Sequence, residues 1–154
     1  MRSWYSKIVR DPEAVLGAIE YFEAQYLEGH TETQHLRGQR ILEVQSRLPG
    51  IVGFRYEQLT ELESIMEYLE IREAAVIGEQ RRHYIEHYNR ALSDRMVEKY
   101  AESHADVIAL REVRNHVTAV RNKFVALSKQ HEYLHYQLIS IVKLRAAGLD
   151  EAIL

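Results

Sequence analysis

Ten positions toward the C-terminal end constrain the fold more than any other feature of the chain. Leu110, Val113, Val117, Val120, Phe124, Leu127, His131, Leu134, Leu138 and Ile141 are spaced alternately three and four residues apart without a miss. An α-helix turns once in 3.6 residues, so this spacing sets all of them on one face, as the a and d positions of more than four heptads. All but His131 are apolar. Such a helix is about 60 Å long at 1.5 Å per residue, too long for a compact monomer of this size to cover. The seam therefore predicts packing against a second long helix and against other subunits, that is, a homo-oligomer. Lys143 and Arg145 suit the negative end of the helix dipole, and Gly148 suits the residue just beyond it.

Upstream, the pattern is also helical. Asp11-Pro12-Glu13 reads as a helix start, with Asp as cap and Pro at the first position. Val15, Leu16, Ile19, Phe22, Tyr26 and Leu27 follow at helical spacing. Gly29 with Thr31-Glu32-Thr33-Gln34 predicts a kink or a restart, and the pattern resumes through Leu36, Ile41, Leu42 and Val44. Leu48-Pro49-Gly50 reads as a boundary, dividing an N-terminal helical segment, 1–48, from a long-helix hairpin, 49–154. A second long helix is expected over roughly 51–91, with Leu59, Leu62, Met66 and Leu69 at seam spacing. Ser93-Asp94 marks a turn and new cap, and a short amphipathic piece with Met96, Val97 and Tyr100 leads to Ser103-His104-Ala105-Asp106.

Only two prolines and seven glycines among 154 residues argue against a loop-rich or all-β chain, and the fold class expected is all-α. Ten tyrosines against three phenylalanines suit half-buried seams and interfaces. The absence of cysteine excludes disulfides and thiolate metal sites and fits a reducing cytoplasm, the expected location. No apolar run reaches the roughly 18 residues of a membrane span, and Met1 to Arg10 has no signal-peptide core. Charge is polarised beneath a net value of −3. Residues 51–80 hold two Lys/Arg against seven Asp/Glu, a local charge of −5, while 107–149 hold seven against two, a local charge of +5. The two arms either pair with each other or serve separate partners.

Three histidine patterns invite a metal reading. His131-Glu132-Tyr133-Leu134-His135 matches H-E-x-x-H, in which two histidines bind zinc and the glutamate activates water. His83-Tyr84-Ile85-Glu86-His87 matches the inverted form. Glu32-x-x-His35 and Glu132-x-x-His135 repeat the E-x-x-H unit of di-iron carboxylate bundles. Context speaks against each. His131 occupies an a position of an unbroken heptad, where a polar residue fixes register or oligomer state. No G-x-x-H extension follows, only 19 residues remain after His135 with Glu151 the sole acidic candidate for a third zinc ligand near a usual spacing, and Glu32-His35 falls at an expected helix start. With no phosphate loop, nucleophile elbow or paired catalytic carboxylates either, no enzyme and no cofactor are expected.

A basic and aromatic cluster points elsewhere. Arg81, Arg82, Arg90, Arg95 and Lys99 are interleaved with His83, Tyr84, His87, Tyr88 and Tyr100. Cations neutralise phosphates and flat rings stack on unpaired bases, so the mixture suits single-stranded nucleic acid, as it also suits a solvated helix face with tyrosines turned inward.

The order of elements from about 48 to 154 resembles the UvsY-like recombination mediators of T-even-type phages. The resemblance is carried by the Leu48-Pro49 break, the aromatic-led helix Phe54-Arg55-Tyr56-Glu57-Gln58-Leu59, and its basic, tyrosine-rich end from Arg81-Arg82-His83-Tyr84 to Tyr88. An acidic lead-in, Glu102 to Val107, a long final helix, and Arg145 to Gly148 before a short amphipathic tail complete it. The resemblance implies an all-helical homo-oligomer without catalysis of its own. Such proteins bind single-stranded DNA and help a RecA-like recombinase displace single-strand-binding protein. The positions matching the family's basic helix end, Arg81, Arg82 and Arg90, are then expected to contact phosphate, with Tyr84 or Tyr88 as stacking faces. The alternative is a coiled-coil adaptor or structural subunit that binds only protein.

Overall fold

A computed structural model describes residues 3–36, 38–88 and 92–148. The protein is all-α: five helices and no strand occur among the described residues, and none of these helices is long and apolar enough to cross a membrane. They are α1 (Trp4–Arg10), α2 (Ala14–His35), α3 (Ile41–His87), α4 (Asp94–Glu102) and α5 (Ala105–Ala146).

Local chemistry explains most of the ends. Ser3 caps α1 by accepting the Ser6 N–H at 3.3 Å. Asp11 closes α1 and opens α2, its carboxylate accepting the Glu13 N–H at 3.1 Å. The loop before α3 contains Gly38 at φ 81°, a left-handed conformation that glycine adopts without steric cost. Ser93 precedes α4 in an extended conformation, as the sequence suggests. Gly148 follows α5 at φ 72°, its N–H reaching the Arg145 carbonyl at 3.0 Å.

Two expected interruptions are absent. α2 runs through Gly29 without a restart, and α3 runs through Leu48-Pro49-Gly50 from Ile41 to His87. Proline inside a helix removes one hydrogen bond and crowds the preceding turn, at a cost of about 3 kcal/mol. Pro49 itself is exposed, while Val44, Leu48 and Ile51 on the same stretch are buried in a cluster with Leu36 and Leu138, flanked by Ile41 and Leu134. Burial of an aliphatic side chain is worth about 1.5–3 kcal/mol, so several together outweigh the proline.

The chain divides into two compact units, residues 1–20 with 60–121, and 21–59 with 122–154. In the first, Ile8, Ala18, Ile19, Leu62, Ile65, Leu69, Ala101, Val107, Val117 and Val120 are buried. Glu73 on α3, itself buried, accepts from Arg111 Nε at 2.6 Å and pairs with Arg114 at 2.8 Å, and Glu63 pairs with Arg121 at 2.7 Å. The acidic and basic arms thus meet within one chain. In the second unit Phe22 and Phe124 pack edge to face at 6.0 Å, with Leu127 and His131 buried beside them in sequence.

The ten-position seam is the inward stripe of α5. Val117, Val120, Phe124, Leu127, His131 and Leu138 are buried, Leu110, Val113 and Leu134 are half-buried, and only Ile141 is exposed. Over most of its length this face is covered within the single chain.

Candidate nucleic-acid interface

The basic end of α3 and the whole of α4 lie in the first unit and meet through side chains. Tyr84 on α3 and Tyr100 on α4 have ring centroids 5.6 Å apart, and Tyr88 stacks on Tyr100 at 6.3 Å with 29° between the planes. Tyr84 and Tyr88 are 6.1 Å apart, which closes a three-ring cluster. Tyr84 and Tyr100 are half-buried in it, whereas Tyr88 remains 48% exposed. Each ring in such a cluster buries apolar area while keeping its hydroxyl toward water. Val97 and Ala101, one turn apart, are buried on the inner face of α4.

Arg81 has a partner that the sequence did not single out: its guanidinium forms an ion pair with Glu98 of α4. The arginine expected to meet phosphate therefore also fastens α4. Both side chains are close to half exposed, so the pair is worth at most about 1 kcal/mol. Arg82 is exposed and makes no ion pair among the described residues, as do Arg95 and Lys99 on α4. His83 and His87, one turn apart, stack at 5.0 Å with 17° between their planes, both exposed. Arg90 lies outside the described residues. Of the five residues expected to touch DNA, the structure thus brings Arg81, Arg82, Tyr84 and Tyr88 to one end of α3, with Arg81 and Tyr84 also tying α3 to α4.

His131, the other residue singled out by motif, has a different environment. It is 2% exposed, and its Nε2 lies 2.8 Å from the Thr33 hydroxyl. Thr33 has one hydroxyl proton and gives it to the Gly29 carbonyl at 2.8 Å, so Nε2–H must be the donor to Thr33 Oγ1. Nδ1 is then a bare acceptor, buried and without a partner among the described residues. Burial first, and the Arg55 charge second, make the ring harder to protonate than usual, with Glu32 opposing. Glu32, a member of one E-x-x-H unit, is engaged by buried Arg55 at 3.2 Å. Arg55 also donates to the Gln25 carbonyl and side chain at 3.2 Å and to Gln58 at 3.0 Å. This network supports a seam in which His131 is a structural, neutral residue. Among the described residues no three His, Asp or Glu side chains cluster in a way that would hold a metal ion.

No known protein family, no curated protein and no solved structure matches this chain.

Proposed function

We propose that the protein is a non-catalytic recombination mediator that binds single-stranded DNA at the α3–α4 end and helps load a RecA-like recombinase in place of single-strand-binding protein. The observation that supports this reading is that the end of α3 and the adjoining α4 carry both exposed cations and an exposed ring. Arg82, Arg95 and Lys99 form no ion pair among the described residues, and Tyr88 sits half exposed against the ring of Tyr100. Phosphate contacts supply affinity, and a base can stack on a ring already held in place. Arg81 joins them when phosphate displaces Glu98, since an exposed pair opposes the exchange by only about 1 kcal/mol or less. A few contacts per chain bind weakly, and several copies on one strand bind far more tightly.

A specific observation favours a second reading, a protein-binding adaptor. The arginines of the basic arm that meet Glu63 and Glu73 are spent inside the chain, and the same stretches of α3 and α4 also carry the exposed carboxylates of Glu86, Asp94 and Glu98. Fluorescence anisotropy with labelled oligonucleotides in a salt series separates the two. The mediator reading expects binding whose logarithm falls linearly with the logarithm of salt, with a slope shallower by about 0.7 for each phosphate contact removed. Arg82→Ala should lower affinity and flatten that slope, and Glu98→Gln should raise affinity by releasing Arg81. Absence of binding at low salt leaves the adaptor reading.

A further inference from the structure

α5 carries two stripes. The inner one is the seam. The outer one, Glu132, Tyr136, Ile139 and Lys143, recurs with the same alternation of four and three residues, and all its members are exposed. Tyr136 is 59% and Ile139 is 38% exposed, and Tyr133 and Val142 flank them at 67% and 46%. Large apolar side chains standing together on a surface mark a contact face rather than a solvated one. Neither Glu132 nor Lys143 forms an ion pair among the described residues.

The order of these residues is self-complementary. Eleven residues span three helical turns, so Glu132 and Lys143 face the same way about 17 Å apart. A two-fold axis perpendicular to α5, passing beside its outer stripe at the level midway between Gln137 and Leu138, would lay a second α5 antiparallel to the first. Glu132 of each copy then faces Lys143 of the other, and Tyr136 faces Ile139. An isologous contact requires this property, that whatever residue i offers residue j also receives. A parallel alignment in register would instead set glutamate on glutamate and lysine on lysine.

We infer that the outer stripe of α5 is a homotypic docking face, on which two copies of this chain pair antiparallel about a two-fold axis. The contact is short. A dozen residues of one helix cannot reach the roughly 800 Å² per partner of a standard stable interface, so the dimer forms in proportion to concentration rather than permanently. This inference concerns self-association alone and does not depend on whether the protein binds DNA.

Sedimentation of the full chain over a concentration series, without nucleic acid, tests it. Wild type should move from monomer to dimer as concentration rises. Glu132→Lys alone and Lys143→Glu alone each place like charges at both ends of the contact and should weaken the dimer on the order of tenfold, less in high salt. The double variant Glu132→Lys, Lys143→Glu should recover, and so should an equimolar mixture of the two single variants. All these positions are exposed, so circular dichroism should show unchanged helix content. A chain monomeric at every concentration overturns the proposal. So does a dimer that ignores the single reversals, or a double variant that stays helical and fails to recover.

Discussion

At Gly29 the backbone of α2 passes so close to its neighbours that one methyl group has nowhere to go. A Cβ there would lie 2.8 Å from Arg55 Nε and 2.8 Å from Leu127 Cδ2. Neither neighbour yields easily, since Arg55 is fixed by Gln25, Gln58 and Glu32, and Leu127 is fully buried. Gly29→Ala, which ordinarily favours a helix, is therefore expected to destabilise by about 1–3 kcal/mol through overpacking, read as a drop in Tm. In the sequence the same glycine looked like a helix restart, because its spacing says only that a side chain is missing and not what fills the room. His131 makes the second case. Its folded pKa lies below 6.5, so its contribution to stability is intact above 6.5 and is lost as pH falls through the folded value, because the unfolded ring takes up its proton first. His131→Leu removes that term and also removes the unpartnered Nδ1. Its Tm should equal or exceed wild type at neutral pH and fall less steeply on acidification, as thermal melts across pH 5–8 would show. That His131 belonged to a seam was legible from heptad position; its partner Thr33, distant in sequence, was not.

At the scale of elements, what the sequence announced best was what repeats longest. The inward stripe of α5 was readable residue by residue because nothing competes with a period held over four heptads. Its occupant was not, since periodicity shows that a face is covered without showing by what. Leu127, fully buried, is expected to cost about 2–5 kcal/mol when truncated to alanine, as a loss of stability of the monomer itself. Equilibrium denaturation at a concentration where the protein is monomeric checks this, and an effect that vanished on dilution would return the seam to an intermolecular role. α1 went unread because seven residues are too few to establish a period, and its cap Ser3 is a common residue. The outer stripe of α5 was present in the sequence all along, masked by the stronger inner one. α3 was read ten residues short at its start, because a proline counts against a helix locally while the burial that overrides it is tertiary.

For the whole molecule, the division of charge along the chain has an internal use. Glu73 and Glu63 answer Arg111, Arg114 and Arg121, so a large part of the polarity is spent on holding α3 to α5 within the first unit. Glu73→Ala is expected to cost about 1–2 kcal/mol, less than a fully buried pair would, because both arginines are about a third exposed and recover water. Denaturation at low and high salt should show the difference shrinking as salt rises. Proline 49 has a consequence of another kind. With no N–H at that position, the ladder of α3 lacks a rung, and Gly50 and Gly53 follow within one turn. Together these three residues lower the intrinsic helix preference of that stretch by about 5 kcal/mol against alanine. Its helical state is therefore borrowed from the packing of Val44, Leu48 and Ile51, and it is the place where α3 can open without the rest unfolding. Amides between Val44 and Arg55 should exchange with solvent deuterium well before those between Leu59 and Glu73, and Pro49→Ala should slow them toward the same rate. The longest helix of the protein would then breathe from one end, with a rhythm set by a single missing hydrogen.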